Sequence, residues 1–205
     1  MLLAIDTSAG TSVAVVDRDA GVLSEVAEAD TRRHAEVIGT LISAALREAG
    51  VTAHDLSGVA VGMGPGPFTG LRVGIAAARA FAWGAGKPVV PVVSHDGVAF
   101  RTTEPMLVVT DARRREVYWS AYSGTDEDGL PVRVAGPGLA SPLLLDEVVP
   151  GYEKYARVDA AEVSAASIGL VAELLHLHGR PFAGSEALYL RSPDVTLSAG
   201  PKRVS

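Results

Sequence analysis

The chain has 205 residues, 48% hydrophobic and 20% charged, which is a globular composition long enough to bury a sizeable core. It contains no cysteine, so disulfides, thiolate nucleophiles, iron–sulfur clusters and cysteine-based zinc sites are excluded together. With 18 Lys and Arg against 24 Asp and Glu the net charge is −6, a poor basis for gripping a nucleic-acid backbone alone.

Leu2 to Ile5 is an apolar run ending in Asp6, read as a first strand and not as a basic leader peptide. No later run reaches the roughly 18 apolar residues of a membrane span, so a soluble, cytoplasmic protein is expected. A polar turn over Thr7, Ser8, Ala9 and Gly10 leads to a second apolar run, Val13 to Val16, and a turn at Asp17 to Gly21. His34 to Ala49 carries Val37, Ile38, Leu41, Ile42, Ala45 and Leu46 at amphipathic-helix spacing, with Thr31 as its cap and Gly50 as its stop. Val59 to Val61 predicts a short strand entering the loop Gly62 to Gly70. A second helix follows over Thr69 to Trp83, stopped by Gly84 and Gly86, then a strand over Pro88 to Val93.

The second half opens like the first. Met106 to Val109 is apolar and leads to Asp111, then Arg113 to Arg115, the run Val117-Tyr118-Trp119 and a turn at Gly124 to Gly129. Strand, aspartate, turn and strand thus recur at about half the chain length, which suggests two copies of one supersecondary unit. A boundary near Arg101 to Pro105 fits, giving halves of residues 1–104 and 105–205, the second smaller and exchanging its last segment with the first. Leu143 to Val149 reads as a short helical or irregular piece and Ala160 to Leu177 as a helix. Leu188 to Leu190 reads as a late strand and Pro201 onward as a frayed tail.

Few residues suggest chemistry. The loop Gly62 to Gly70 joins a strand to a helix, as a phosphate cradle does. However, Leu71 and Arg72 follow Gly70 where a P-loop needs Lys and Ser or Thr, and Pro65 and Pro67 lack amide donors. A structural turn is the better reading. Asp6 with Thr7 and Ser8 has the groups for a hydrated Mg²⁺ and a phosphate, and equally those of a capped turn. Gly70, Gly74 and Ala78 form a small-residue face, for close packing either within the chain or against another subunit. No two of the five histidines have helical ligand spacing, there is no serine-nucleophile elbow, and Arg113 to Arg115 reads as a solvated turn.

The segment Gly64-Pro65-Gly66-Pro67-Phe68-Thr69-Gly70-Leu71-Arg72-Val73-Gly74 resembles the Gly-Pro-Gly-Ser-Phe-Thr-Gly-Leu-Arg-Ile-Gly motif of the TsaB (YeaZ) family of tRNA threonylcarbamoyladenosine biosynthesis proteins. Leu3 to Ser8, His34-Ala35-Glu36, Asp111 to Arg114 and Tyr189-Leu190-Arg191 extend the likeness, while Pro67 departs from the family's serine. The resemblance implies an α/β protein of the actin-like ATPase fold (the sugar kinase/Hsp70/actin class), with two similar α/β halves. Laid on the His-x-x-x-His metal motif of the related TsaD subunit, this chain has Ser94 and Val98 at the ligand positions, with His95 and Asp96 between. That implies a non-catalytic paralogue with no catalytic or metal-ligating residue, which supports a TsaD-like catalytic subunit in a heterodimer. The older glycoprotease label of the family has no support in these residues.

The family makes that contact with its first two helices, here through His34, Val37, Ile38, Leu41, Gly70, Arg72, Gly74 and Ala78. A TsaE-like ATPase as a further partner, a homodimer when alone and tRNA reached only through the complex are also implied, with no membrane association. No cofactor is required by this chain; a vestigial nucleotide and Mg²⁺ site falls on Asp6, Thr7 and Ser8 or at the complex interface. The competing expectation is an ATPase or small kinase of the same fold acting alone. It needs a glycine-rich second phosphate loop where Asp111 to Arg115 stands, and a carboxylate in the cleft.

Overall fold

Strand β1 (Leu2–Asp6) is buried at every position, because successive side chains point to opposite faces of a sheet that is covered on both sides. The computed structural model describes residues 1–191. In it β1 pairs antiparallel with β2 (Thr11–Asp17), and β2 with β3 (Gly21–Glu28). After helix α1 (His34–Ala49), β4 (Gly58–Gly62) joins β1 in parallel. After α2 (Phe68–Ala85), β5 (Val89–Val92) joins β4 in parallel, giving the order β3-β2-β1-β4-β5.

A short helix, α3 (Ser94–Ala99), leads to a second sheet of like design. There β6 (Met106–Asp111), β7 (Val117–Thr125) and β8 (Pro131–Ala140) form an antiparallel meander. Beyond a 3-10 turn and the single-turn helix α4 (Leu145–Val148), β9 (Ala156–Asp159) pairs parallel with β6. The order β8-β7-β6-β9 repeats the first four strands of the other sheet, so the two sheets carry one topology. This is the α/β architecture of the actin-like ATPase fold. No helix among the described residues is long and apolar enough to cross a membrane.

The first sheet is a sandwich. Leu3, Ile5, Val13, Val15, Val59 and Val61 face α1 and α2, where Leu71, Ile75, Ala78 and Ala82 complete the core. Leu2, Ala4, Ala14, Val16 and Ala60 face α5 (Ala165–Leu177), which lies late in the chain yet packs on the first sheet through Ile168, Val171 and Ala172. Gly169 permits that approach, since a Cβ there would sit 2.6 Å from the Val16 Cγ2. The second sheet packs Leu107, Val109, Trp119 and Ala121 against Leu145 and Val149 on one face. On the other, Val108 and Tyr122 meet Ala99 of α3.

Several expected boundaries are corrected. Thr31 does not cap α1: Arg33 is the N-cap, without a side-chain cap bond, and the Thr31 hydroxyl accepts from Arg113 instead. Helix α5 starts at Ala165 and not at Ala160, because the Ser164 hydroxyl caps it by accepting from the Ser167 amide. Gly84 lies inside α2, and Gly86, at φ +65°, is its left-handed stop. Leu188 to Leu190 forms no strand; its contact with the first half includes a single amide bond from Leu188 to the Met63 carbonyl. The tail from Pro201 lies outside the described residues.

Helix α3 ties the halves together. His95 is fully buried, with Nδ1 2.8 Å from the Ser120 hydroxyl and Nε2 2.9 Å from the Thr110 hydroxyl, both on the second sheet. Burial, aided by the charge of Arg133, pushes its pKa down to about 3. The unfolded chain therefore binds the proton first as pH falls below about 6.5, and the stability present at neutral pH is lost progressively toward pH 3. At ~1.4 kcal/mol per pH unit, the advantage of the native chain over His95→Gln should shrink by about 2 kcal/mol between pH 7 and pH 5. Urea unfolding at the two pH values measures it, and a gap that does not change with pH would exclude the imidazole as the titrating group.

Candidate functional site

Asp6 ends β1 and is 1% exposed. Its Oδ1 accepts from the Ser8 amide at 2.7 Å and the Ser8 hydroxyl at 2.6 Å, and its Oδ2 accepts from the Ser94 hydroxyl at 2.6 Å. Ser94 in turn accepts from the Gly64 amide at 2.9 Å, so the carboxylate joins β1, the loop after β4 and the start of α3. Burial raises the Asp6 pKa, and the hydrogen bonds from Ser8 and Ser94 oppose that rise. Gly62 is required beside it: a Cβ there would lie 1.8 Å from Oδ2. Thr7 donates its hydroxyl to the Gly70 carbonyl at 2.8 Å. The polar side-chain atoms of Asp6, Thr7 and Ser8, where a nucleotide site was expected, are engaged with one another, with Ser94 and with the backbone of the same chain.

The small-residue face of α2 turns inward as well. A Cβ on Gly70 would meet the Thr7 carbonyl at 2.7 Å, and one on Gly74 the Thr7 Oγ1 at 2.2 Å. Ala78 is fully buried in the core below α1. His34, expected at a partner contact, is buried with Nδ1 2.7 Å from the Thr11 hydroxyl, and burial, with Arg113 nearby, lowers its pKa. Ile38 is also core. Gly70, Gly74, Ala78, His34 and Ile38, expected at a partner contact, are thus each enclosed by their own chain. Val37 is half-buried, and Leu41 is half-buried against the core.

Of the expected contact residues Arg72 alone is exposed. Its guanidinium lies 3.8 Å from the Phe68 ring centroid, and its Nε donates to the Tyr189 hydroxyl at 3.4 Å. Sequence reasoning missed Trp83, on the last turn of α2 and 88% exposed. The signal was available: the helix's buried positions, Leu71, Ile75, Ala78 and Ala82, place residue 83 on the outer side.

An open cleft of about 360 Å³ lies where the start of α2, the β6–β7 turn and the segment around Tyr189 meet. Phe68, Tyr118, Tyr189, Arg113, Arg114 and Arg191 line it. Arg113 to Arg115 form the exposed turn that was expected, with Arg113 and Arg114 at the rim of this cleft. Among the described residues no three or more His, Cys, Asp or Glu side chains converge as a metal site.

Residues 8–143 match the family model of TsaD, tRNA N6-adenosine threonylcarbamoyltransferase. A Mycobacterium tuberculosis protein of uncharacterised function is 42% identical over 198 residues, covering 95% of this chain and 93% of that protein. The tRNA N6-adenosine threonylcarbamoyltransferase of Streptococcus suis is 47% identical over 108 residues, but these are 45% of this chain and only 32% of that enzyme. Among solved structures, YeaZ from Pseudomonas aeruginosa superimposes with a TM-score of 0.72 at 26% identity, covering 87% of this chain and 92% of that one.

Two glycines of α2 should respond oppositely to one added methyl group. Gly74→Ala forces Thr7 out of place and should destabilise the chain by about 1–3 kcal/mol. Gly84, with nothing within 4 Å of its would-be Cβ, should gain ~0.5–1 kcal/mol as Gly84→Ala, from better helix propensity alone. Urea denaturation of the two variants checks both signs.

Proposed function

The chain belongs to the family of TsaD, the tRNA N6-adenosine threonylcarbamoyltransferase, and from that premise we propose that it is a YeaZ-like, non-catalytic partner of a TsaD-like transferase in tRNA modification. The observation that carries the reading is the segment Ser94 to Val98, which resembles the transferase's metal-binding stretch without its ligands. The Ser94 hydroxyl is held between Asp6 and the Gly64 amide, and Val98 packs into the apolar core. His95 stands between them with both ring nitrogens engaged by Ser120 and Thr110. A serine hydroxyl and a valine cannot replace two imidazoles around a transition metal. The chain also spans about a third of the length of the Streptococcus suis transferase, so its likeness to that enzyme is to one portion of it.

The contribution of such a subunit is a surface. The outer sides of α1 and α2 carry it, with Arg72 and the exposed indole of Trp83 among the side chains available to a partner. Exposed tryptophan and arginine are the residue types that most often dominate an interface energetically. The same helices serve self-association when the transferase is absent. This chain requires no cofactor of its own; weak nucleotide binding belongs to the assembled interface, and a TsaE-like ATPase and tRNA are met through the complex.

Co-purification from the native cell should recover the TsaD-like transferase with this chain. In a titration of the two purified proteins, Trp83→Ala should weaken association tenfold or more while its melting temperature stays at the native value, because the side chain makes little contact with its own fold. An unchanged affinity removes Trp83 from the interface, and failure to recover any transferase counts against the partner role itself.

A further inference from the structure

We propose that the two halves are held closed on each other by a polar latch, Arg113 on Thr31 and Arg191 on Glu116, and that the segment after α5 is the strap that carries it. This segment, His178 to Arg191, is bound to the second half at both ends and to the first half in between. At its start the His178 Nδ1 lies 3.1 Å from the Asp128 Oδ1, and Arg180 donates to the Asp128 Oδ2 at 2.8 Å, both on the turn between β7 and β8. Its middle crosses the edge of the first sheet, where the Ala183 amide donates to the Pro91 carbonyl of β5 at 3.1 Å. It then follows α2: Arg79 donates to the Ser185 carbonyl, the Leu188 amide donates to the Met63 carbonyl, and the Tyr189 ring tilts against Phe68. At its end Arg191 pairs with Glu116, on the turn between β6 and β7, and donates to the Arg113 carbonyl at 3.5 Å.

The latch closes the side opposite the pivots. Apart from the strap, the chain passes between the halves after α3, at Phe100 to Pro105, and before α5, at Ala160 to Ser164. Short connections of this kind are where two halves turn on each other. Away from them, an opening of about 330 Å³ has Ser8, Ala9 and Pro67 on one wall and Asp111 and Ala160 on the other. Arg113 spans it by donating to the Thr31 hydroxyl of the first half. Relative motion is the normal expectation for two units unless the contact between them is large and apolar. Partly exposed ion pairs and hydroxyl contacts are individually weak and are screened by salt. A latch made of them keeps the closed arrangement while leaving an open one within reach.

The backbone adds a further argument. Arg113, Arg114 and Arg115 have φ of +63°, +54° and +63°, a left-handed geometry that glycine adopts freely and an L side chain only against strain. Such strain persists where surrounding contacts hold it, and it gathers at switch regions. Here the contacts of the latch do the holding: the Arg113 side chain reaches Thr31 and its carbonyl receives Arg191.

The chain has no cysteine, so spin labels on introduced cysteines report without background. Thr40→Cys on α1 with Glu147→Cys on α4 spans the two halves, and Thr40→Cys with Ala20→Cys stays within the first; all three positions are exposed. Double electron–electron resonance on the full chain should give one narrow distance for the spanning pair at low salt. Arg113→Ala/Arg191→Ala should lengthen or broaden it by more than about 2 Å, with the pair inside the first half unchanged. Salt at ~1 M should move the native chain in the same direction. Thr31→Val/Glu116→Gln removes the acceptors and leaves both arginines in place; it should widen the distance likewise, and it decides the question if the arginine variant does not fold. A spanning distance that is native in the folded variants overturns the proposal, whatever salt does. Equal broadening of the pair inside the first half also overturns it, because these residues would then be supports of the fold alone. The measurement contains no transferase, so its outcome is independent of the co-purification result.

Discussion

A carboxylate removed from water must receive its hydrogen bonds from the chain, and the first half of this molecule is arranged so that Asp6 receives them. Three donors reach it, two from Ser8 and one from Ser94, across a gap that exists only because Gly62 has no side chain. Ser94 opens α3, and the next residue, His95, enters the second sheet. The carboxylate thus fixes where β1 ends, where the loop after β4 turns and where the connection to the second half begins. Its raised pKa reflects the same enclosure. A group in that position is well placed to hold the two halves at a defined angle.

Close packing of α2 follows from the residue next to it. Thr7 reaches the Gly70 carbonyl only because neither Gly70 nor Gly74 carries a Cβ. The glycine-rich motif therefore does two things. Its first part, Gly62 to Gly66, lets the loop close over Asp6, Ser8 and Leu71, and its second part lets the helix settle onto the first hairpin. Seen in sequence, small residues every four positions indicate a close approach without saying to what. That ambiguity is intrinsic, because a helix packed on its own hairpin and a helix packed on a neighbour need the same side chains.

The sequence made the strongly patterned parts legible. The span of α1 was readable from its stripe of apolar residues and from Gly50, and β1, β2, β4, β5, β6 and the start of β7 from apolar runs bounded by turns. The third strand of each meander was not readable. In β3 only Ser24 is fully buried, so no alternation of apolar residues marks it. Strand β8 carries Pro131, Gly136, Pro137 and Gly138, which look like a turn and are tolerated because the strand lies at the sheet edge. Strand β9 is four residues long and mostly exposed, and α3 is too short for periodicity. For the site, the Gly64 to Gly74 motif identified the family, while the burial of His34 and Ile38 and the exposure of Trp83 depend on which side of each helix meets the sheet. The cleft was hidden because its walls are far apart in the chain and meet only after folding.

The placement of α5 has a consequence for how the chain comes off the ribosome. The face of the first sheet formed by Leu2, Ala4, Ala14, Val16 and Ala60 is made early in synthesis, and its cover, Ile168, Val171 and Ala172, is made near the end. Until that helix emerges, an apolar sheet face stays open to water and to other nascent chains, and the contacts that close it are long-range and slow to form. The two halves are therefore repeated in topology but not independent in folding: the first is completed by the last helix of the second. A gene fragment encoding only the first sheet and its helices would carry that uncovered face permanently, and its natural fate is aggregation or capture by a chaperone.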